Sequence, residues 1–109
     1  MKKYKLPNDQ IEDLVSMGGC LATDRITVDG CKVGYMYRDK PINIDDSGWR
    51  FFAGDEDEDY MADNDNHGVY AVNTIVNYDR DIIGLLNEPI GSEYERDDYT
   101  GKFKKAITH

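Results

Sequence analysis

The chain has 109 residues, with 22 acidic side chains against 13 basic ones and a formal net charge of −9 at pH 7. That length predicts one domain, which buries roughly two thirds of the surface its unfolded chain exposes and needs no metal or disulfide staple. The acidic balance argues against nucleic acid, whose phosphates demand clustered Lys and Arg, and no apolar run approaches the ~20 residues that span a bilayer.

The opening Met1-Lys2-Lys3-Tyr4-Lys5-Leu6-Pro7 is basic with no apolar stretch behind it. Together with Cys20 and Cys31, which form no CxxC, this predicts a cytoplasmic protein with buried thiols and no membrane partner. Across residues 8–17, Ile11, Leu14 and Val15 recur at i, i+3, i+4 behind a cap at Asn8, and Gly18-Gly19 ends the pattern, so a short amphipathic helix is expected. Ile26-Thr27-Val28, Asp29-Gly30 and residues 31–38 then read as strand, two-residue turn and strand. In that hairpin Val28 faces Cys31, Ile26 faces Val33 and Ala22 faces Tyr37, while Cys20 lies opposite Asp39, too far from Cys31 for a disulfide.

Pro41 closes the strand, and a polar loop over 42–47 leads to Gly48-Trp49-Arg50-Phe51-Phe52-Ala53-Gly54. Its apolar residues fall on both faces, which predicts a central strand. Asp55 is expected to cap a short helix running through Tyr60-Met61-Ala62, with Glu58 three residues on as in a capping box. After the loop at 63–68, Val72, Ile75 and Val76 have helical spacing, and Asp79 caps a second helix carrying Ile82, Ile83, Leu85 and Leu86 up to Asn87-Glu88-Pro89. Residues 90–96 and 102–106 flank a turn as a terminal hairpin. Hairpins mixed with short helices give an α+β fold with a small, mainly antiparallel sheet.

Residues 45–65 carry nine acids against one arginine, a net charge of −8, so nearly all the imbalance is local. Concentrated charge of one sign steers a partner of the opposite sign, although such runs also serve simply as solvated helix starts. A metal site fits poorly. Asp63-x-Asp65-x-His67-Gly68 opens like an EF-hand loop, but the twelfth position is Thr74, where a bidentate Glu is required. Asp55, Asp57 and Asp59 cannot converge if they are helical, because alternate residues point about 200° apart. No cofactor is expected.

Catalytic patterns are absent from the sequence. Its histidines are His67, in a polar loop, and His109, the last residue; a Cys20–His67 dyad is arithmetically possible but nothing brings the two together, so no enzyme is predicted. Among eight tyrosines, Tyr35 and Tyr37 are expected to join Trp49 and Phe51 on the inward face of the sheet, whereas Tyr60, Tyr70 and Tyr99 are better interface candidates.

Lys32-Val33-Gly34-Tyr35-Met36-Tyr37-Arg38, the run from Gly48 to Tyr60, Asn73-Thr74-Ile75, Asp81-Ile82-Ile83 and Pro89-Ile90-Gly91 share order and spacing with a known set. Over about residues 19–96 the chain resembles the bacterial immunity protein thirty-three family of polymorphic-toxin systems, formerly a domain of unknown function. The resemblance implies a small non-enzymatic cytoplasmic protein that binds and neutralises a cognate toxin domain. The expected partner-binding residues are Asp55, Glu56, Asp57, Glu58, Asp59 and Tyr60, facing a toxin with a basic surface. The alternatives are a small-ligand or divalent-cation binding module using the same acids, and a housekeeping domain.

Overall fold

The structure is a computed structural model, and residues 2–106 are described; His109 lies outside them. Among the described residues nine short elements follow in order: β1 (Gly19–Thr23), α1 (Asp24–Thr27), β2 (Tyr35–Arg38), β3 (Asp46–Phe52), α2 (Glu58–Ala62), β4 (His67–Ala71), α3 (Val72–Tyr78), β5 (Glu93–Arg96) and β6 (Phe103–Lys105), with 3-10 segments at Asn8–Gln10, Asn64–Asn66 and Arg80–Leu85. The strands form one six-stranded sheet in the order β4-β1-β3-β2-β5-β6. Among the described residues only β1 and β3 run parallel; the other pairings are antiparallel, which makes the fold α+β as the sequence predicts.

β3 is central, and Trp49 and Phe51 are fully buried, as expected of a strand with apolar residues on both faces. They share the core face with Cys20 and Ala22 of β1, Met36 of β2 and Tyr94 of β5. Ile26 of α1, Val72, Ile75 and Val76 of α3, and Ile82 and Leu86 beyond it close that core from the helical side. The Trp49 indole nitrogen donates to the Leu86 carbonyl at 3.0 Å, satisfying the polar edge of a buried ring. The terminal hairpin also forms, β5 pairing with β6.

The hairpin expected at Asp29-Gly30 does not exist. Asp24–Thr27 is helical, with Ile26 and Thr27 both buried, and the Gly30 amide donates back to the Ile26 carbonyl at 3.0 Å with Gly30 at φ +79°. A left-handed glycine ends a helix as readily as it makes a tight hairpin, so Asp-Gly supports both geometries, and burial of Ile26 selects the helix. Ala22 consequently pairs with Phe51 and Gly68 rather than Tyr37. Cys20 and Cys31 are both free thiols.

The amphipathic helix over 8–17 is reduced to a 3-10 turn at Asn8–Gln10. Beyond it the backbone takes its hydrogen bonds from α3: Asn77 Oδ1 accepts from the Glu12 amide, and Asn73 Oδ1 accepts from the amides of Leu14 and Val15. Both Asn side chains in turn donate to the Glu12 carbonyl, at 2.8 and 2.9 Å. These amides replace the bonds a helix would supply, and Leu14, Val15 and Met17 still pack on the core. The segment expected as a second helix after Asp79 is a 3-10 helix, Arg80–Leu85, whose first turn Asp79 caps through the Asp81 amide.

Candidate protein-binding face

The helix that carries the acidic run begins later than its capping-box pattern suggests. Asp57, not Asp55, is the N-cap, accepting from the Tyr60 amide at 2.7 Å, and α2 starts at Glu58. Asp55 is drawn instead to Arg25 of α1, with contacts of 3.1 and 2.6 Å, and the guanidinium also reaches Asp29. That guanidinium holds the exposed Asp55 carboxyl below its ordinary range.

Glu56 is a fastener. Its carboxylate accepts from the amides of Ala53 and Gly54, each at 2.8 Å, and from the Thr23 hydroxyl at 2.5 Å. It thereby pins the turn after β3 to the end of β1. Tyr60 is half-buried against α1; burial first, then the charges of Asp24 and Asp29, push its phenol up. Of the six residues expected at an interface, then, Asp55, Glu56, Asp57 and Tyr60 have local structural partners, while Glu58 and Asp59 project exposed from the first turn of α2.

Asp63 accepts from the Asp65 amide as a local cap, and among the described residues no group of three or more His, Cys, Asp or Glu side chains is placed to hold a metal ion. Cys20 pairs across the sheet with Tyr70, whereas His67 pairs with Thr23. Alternation along β1 therefore sets Cys20 and His67 on opposite faces, and no dyad forms.

The register also revises the tyrosines. Met36 stands opposite Phe51, and Tyr37 opposite Arg50, so Tyr35 and Tyr37 lie on the face away from Trp49 and Phe51. On that outer face Phe52 stacks on Tyr37 with ring centroids 5.8 Å apart, and Tyr35 lies 5.6 Å from Phe52. Tyr35, Tyr37 and Phe52 are all half-buried. Beside them Arg50, buried, forms a two-pronged pair with Asp46 at 2.9 and 2.8 Å. A groove of about 710 Å³ opens next to the cluster, with Tyr35 and Phe52 among its lining residues together with Glu56, Met61 and Glu95. Met61 links it to α2. The signal was available in the sequence: Tyr35-x-Tyr37 with Met36 between them has strand alternation, but which side faces the helices depends on pairing with β3.

A second hollow of about 620 Å³ lies between the loop after β2 and β4, and Ile42, Ile44 and Val69 on its rim are strongly exposed. Of the other tyrosines singled out, Tyr70 packs edge-on against Tyr4 at 5.8 Å, and Tyr99 is fully exposed at the terminal turn. Among the described residues no helix is long and apolar enough to cross a membrane.

No curated protein and no solved structure matches the chain. The family model described as Immunity protein Imm33 domain matches residues 20–107. The match extends past the 19–96 span of the sequence resemblance to take in β6, and the structure shows why: β6 pairs with β5 and completes the sheet. With most of its length matched, the chain belongs to the Imm33 immunity protein domain family, which carries an immunity-type function and, in general terms, a toxin as partner.

Proposed function

We propose that this protein is a cytoplasmic, non-enzymatic immunity protein that binds a cognate toxin domain and neutralises it by occlusion, its first contacts made by the acidic segment from Asp55 to Tyr60. The observation that carries the reading is the family match over residues 20–107 together with the charge it encloses: within 45–65, nine acids face one arginine, and that arginine is spent on Asp46. A basic toxin surface is the complement of such a field. Charge at this position acts over a Debye length of ~8 Å in physiological salt and raises the rate of encounter more than the lifetime of the complex.

The five carboxylates differ in their contacts. Glu58 and Asp59 supply exposed charge, while Asp57 and Glu56 hold the turn that presents them and Asp55 ties it to α1. The test uses Glu58→Gln with Asp59→Asn, which leaves the Asp57 cap and the Glu56 fastening intact. Against a toxin domain whose toxicity this chain relieves on co-expression, association should slow by roughly three- to tenfold in low salt, and the difference should shrink as salt rises. An unchanged association rate with no salt dependence would remove the acidic segment from the interface.

A further inference from the structure

Among the described residues, α1, α3 and the 3-10 helix after Asp79 all cover the same face of the sheet. They contribute Ile26, Val72, Ile75, Val76 and Ile82 to the same core as Trp49 and Phe51. The opposite face carries Tyr35, Tyr37 and Phe52 in mutual contact, with centroids 5.6 to 5.9 Å apart, partly exposed and with only α2 reaching over one end through Met61. Such a cluster is costly to leave open to water and adds little to the core behind it.

We propose that this outer aromatic face and its adjoining groove form the anchor surface of the interface, built to receive an arginine- or lysine-bearing segment of a protein partner. The proposal rests on the immunity reading above and assigns the contact that holds the complex together, as distinct from the charge that draws it in. Charge complementarity decides the occupant. Glu93 stands beside Tyr35, accepting its hydroxyl hydrogen bond at 2.5 Å; Glu95 and Asp98 border the groove with Asp55 and Glu56, the last two already held by Arg25 and by the Ala53 and Gly54 amides. The cations there are Lys32 and Arg96, and Arg96 is already paired with the buried Asp79. A cationic side chain entering this groove meets carboxylates and the aromatic rings of Tyr35 and Phe52 on its walls, a combination that favours guanidinium or ammonium groups. Tyrosines in a partly desolvated cluster are also the residue type that most often carries binding energy. The groove is continuous with α2 through Met61, so a partner steered by Glu58 and Asp59 arrives at its edge.

The experiment measures binding of the intact chain, by surface plasmon resonance, to a toxin domain whose toxicity it relieves on co-expression, comparing wild type with Tyr35→Ser/Tyr37→Ser. The double variant should weaken binding by 100-fold or more, chiefly through faster dissociation, whereas Glu58→Gln/Asp59→Asn should act on association. Hydroxyl-radical footprinting of the wild-type protein supplies a measurement that needs no variant. Tyr35 and Tyr37 should become protected in the complex, scaled against the fully exposed Tyr99. Tight wild-type binding with a folded double variant that binds within threefold of it, or with both tyrosines unprotected, would overturn the proposal and leave the immunity reading standing. Protection that appears in the free protein and grows with its concentration would assign the face to a second copy of this chain and overturn it as well. No binding of the wild-type protein at all would overturn the immunity reading, and the proposal with it.

Discussion

Replacing Trp49 with alanine removes the largest fully buried side chain from the centre of β3. Three interactions go with it: the stack on Phe51 at a centroid distance of 6.0 Å, the hydrogen bond from the indole nitrogen to the Leu86 carbonyl at 3.0 Å, and the Arg38 guanidinium 5.7 Å above the ring. The Leu86 carbonyl keeps a longer bond from Arg38 at 3.4 Å, so it is not wholly stranded. Trp-to-Ala changes in a closed core cost about 3 to 5 kcal/mol, because neighbours on a hydrogen-bonded central strand collapse only partly into the void. With native domains stable by about 5 to 15 kcal/mol, the variant should retain little margin. In urea, at a slope of about 1.5 kcal/mol per molar, the unfolding midpoint should fall by roughly 2 to 3 M with the slope unchanged. Trp49→Phe, which keeps an aromatic ring but loses the indole N–H and some volume, should fall between the two, at about 1 to 2 kcal/mol. A midpoint shift below about 0.5 M for Trp49→Ala would refute the placement of this residue in the core.

Further outcomes follow from the buried polar groups. Asp79 is buried, accepts from the Val33 amide at 3.0 Å and pairs with Arg96, so Asp79→Asn should cost about 3 kcal/mol in the same urea assay by leaving the largely buried Arg96 guanidinium with only the exposed Asp81 carboxylate at 3.1 Å. Arg50 holds the Asp46 carboxyl well below the usual carboxylate range. The unfolded chain therefore takes up a proton there first, so the stabilisation is complete above the unfolded value near pH 4 and drains as pH falls through the lower folded value. Asp46→Asn should accordingly flatten the acid limb of stability measured from about pH 4 to 2; an unaltered limb would show that other carboxylates dominate it. Burial pushes the Cys20 thiol up to about 12, against the opposing pull of Arg50, while Cys31 is only half-buried. At pH 8 a thiol-specific reagent should therefore titrate one cysteine quickly and one only on unfolding, and equal rates for both would contradict the buried position of Cys20.

How legible the molecule was in its sequence depended on whether a pattern had one physical reading or two. β3 was legible because Trp49 and Phe51 on one face and Phe52 on the other put apolar residues on both, and such a strand belongs in the middle of a sheet. The terminal hairpin and the spacing of Val72, Ile75 and Val76 were legible for the same reason. Asp29-Gly30 was not, since a left-handed glycine serves a turn and a helix end alike, and only the burial of Ile26 and Thr27 distinguishes them. Residues 8–17 have helical spacing, yet Asn73 and Asn77 of α3, more than fifty residues away in sequence, capture their backbone amides. No local pattern encodes that.

In the candidate site, the acidic run was visible but its division of labour was not. Five adjacent carboxylates look alike until Arg25, Thr23 and the Tyr60 amide claim Asp55, Glu56 and Asp57. Tyr35 and Tyr37 read as core from sequence because alternation fixes which residues of a strand share a side, and only the register of Met36 against Phe51 fixes which side is covered.

The most direct measurement is calorimetric titration of the wild-type chain into a toxin domain whose toxicity it relieves on co-expression, at 0.15 M salt, with the toxin's activity followed in parallel. Occlusion predicts a saturable one-to-one complex with a dissociation constant below about 1 μM, and loss of toxin activity in step with occupancy. Absence of a complex, or a complex in which the toxin remains fully active, would contradict it.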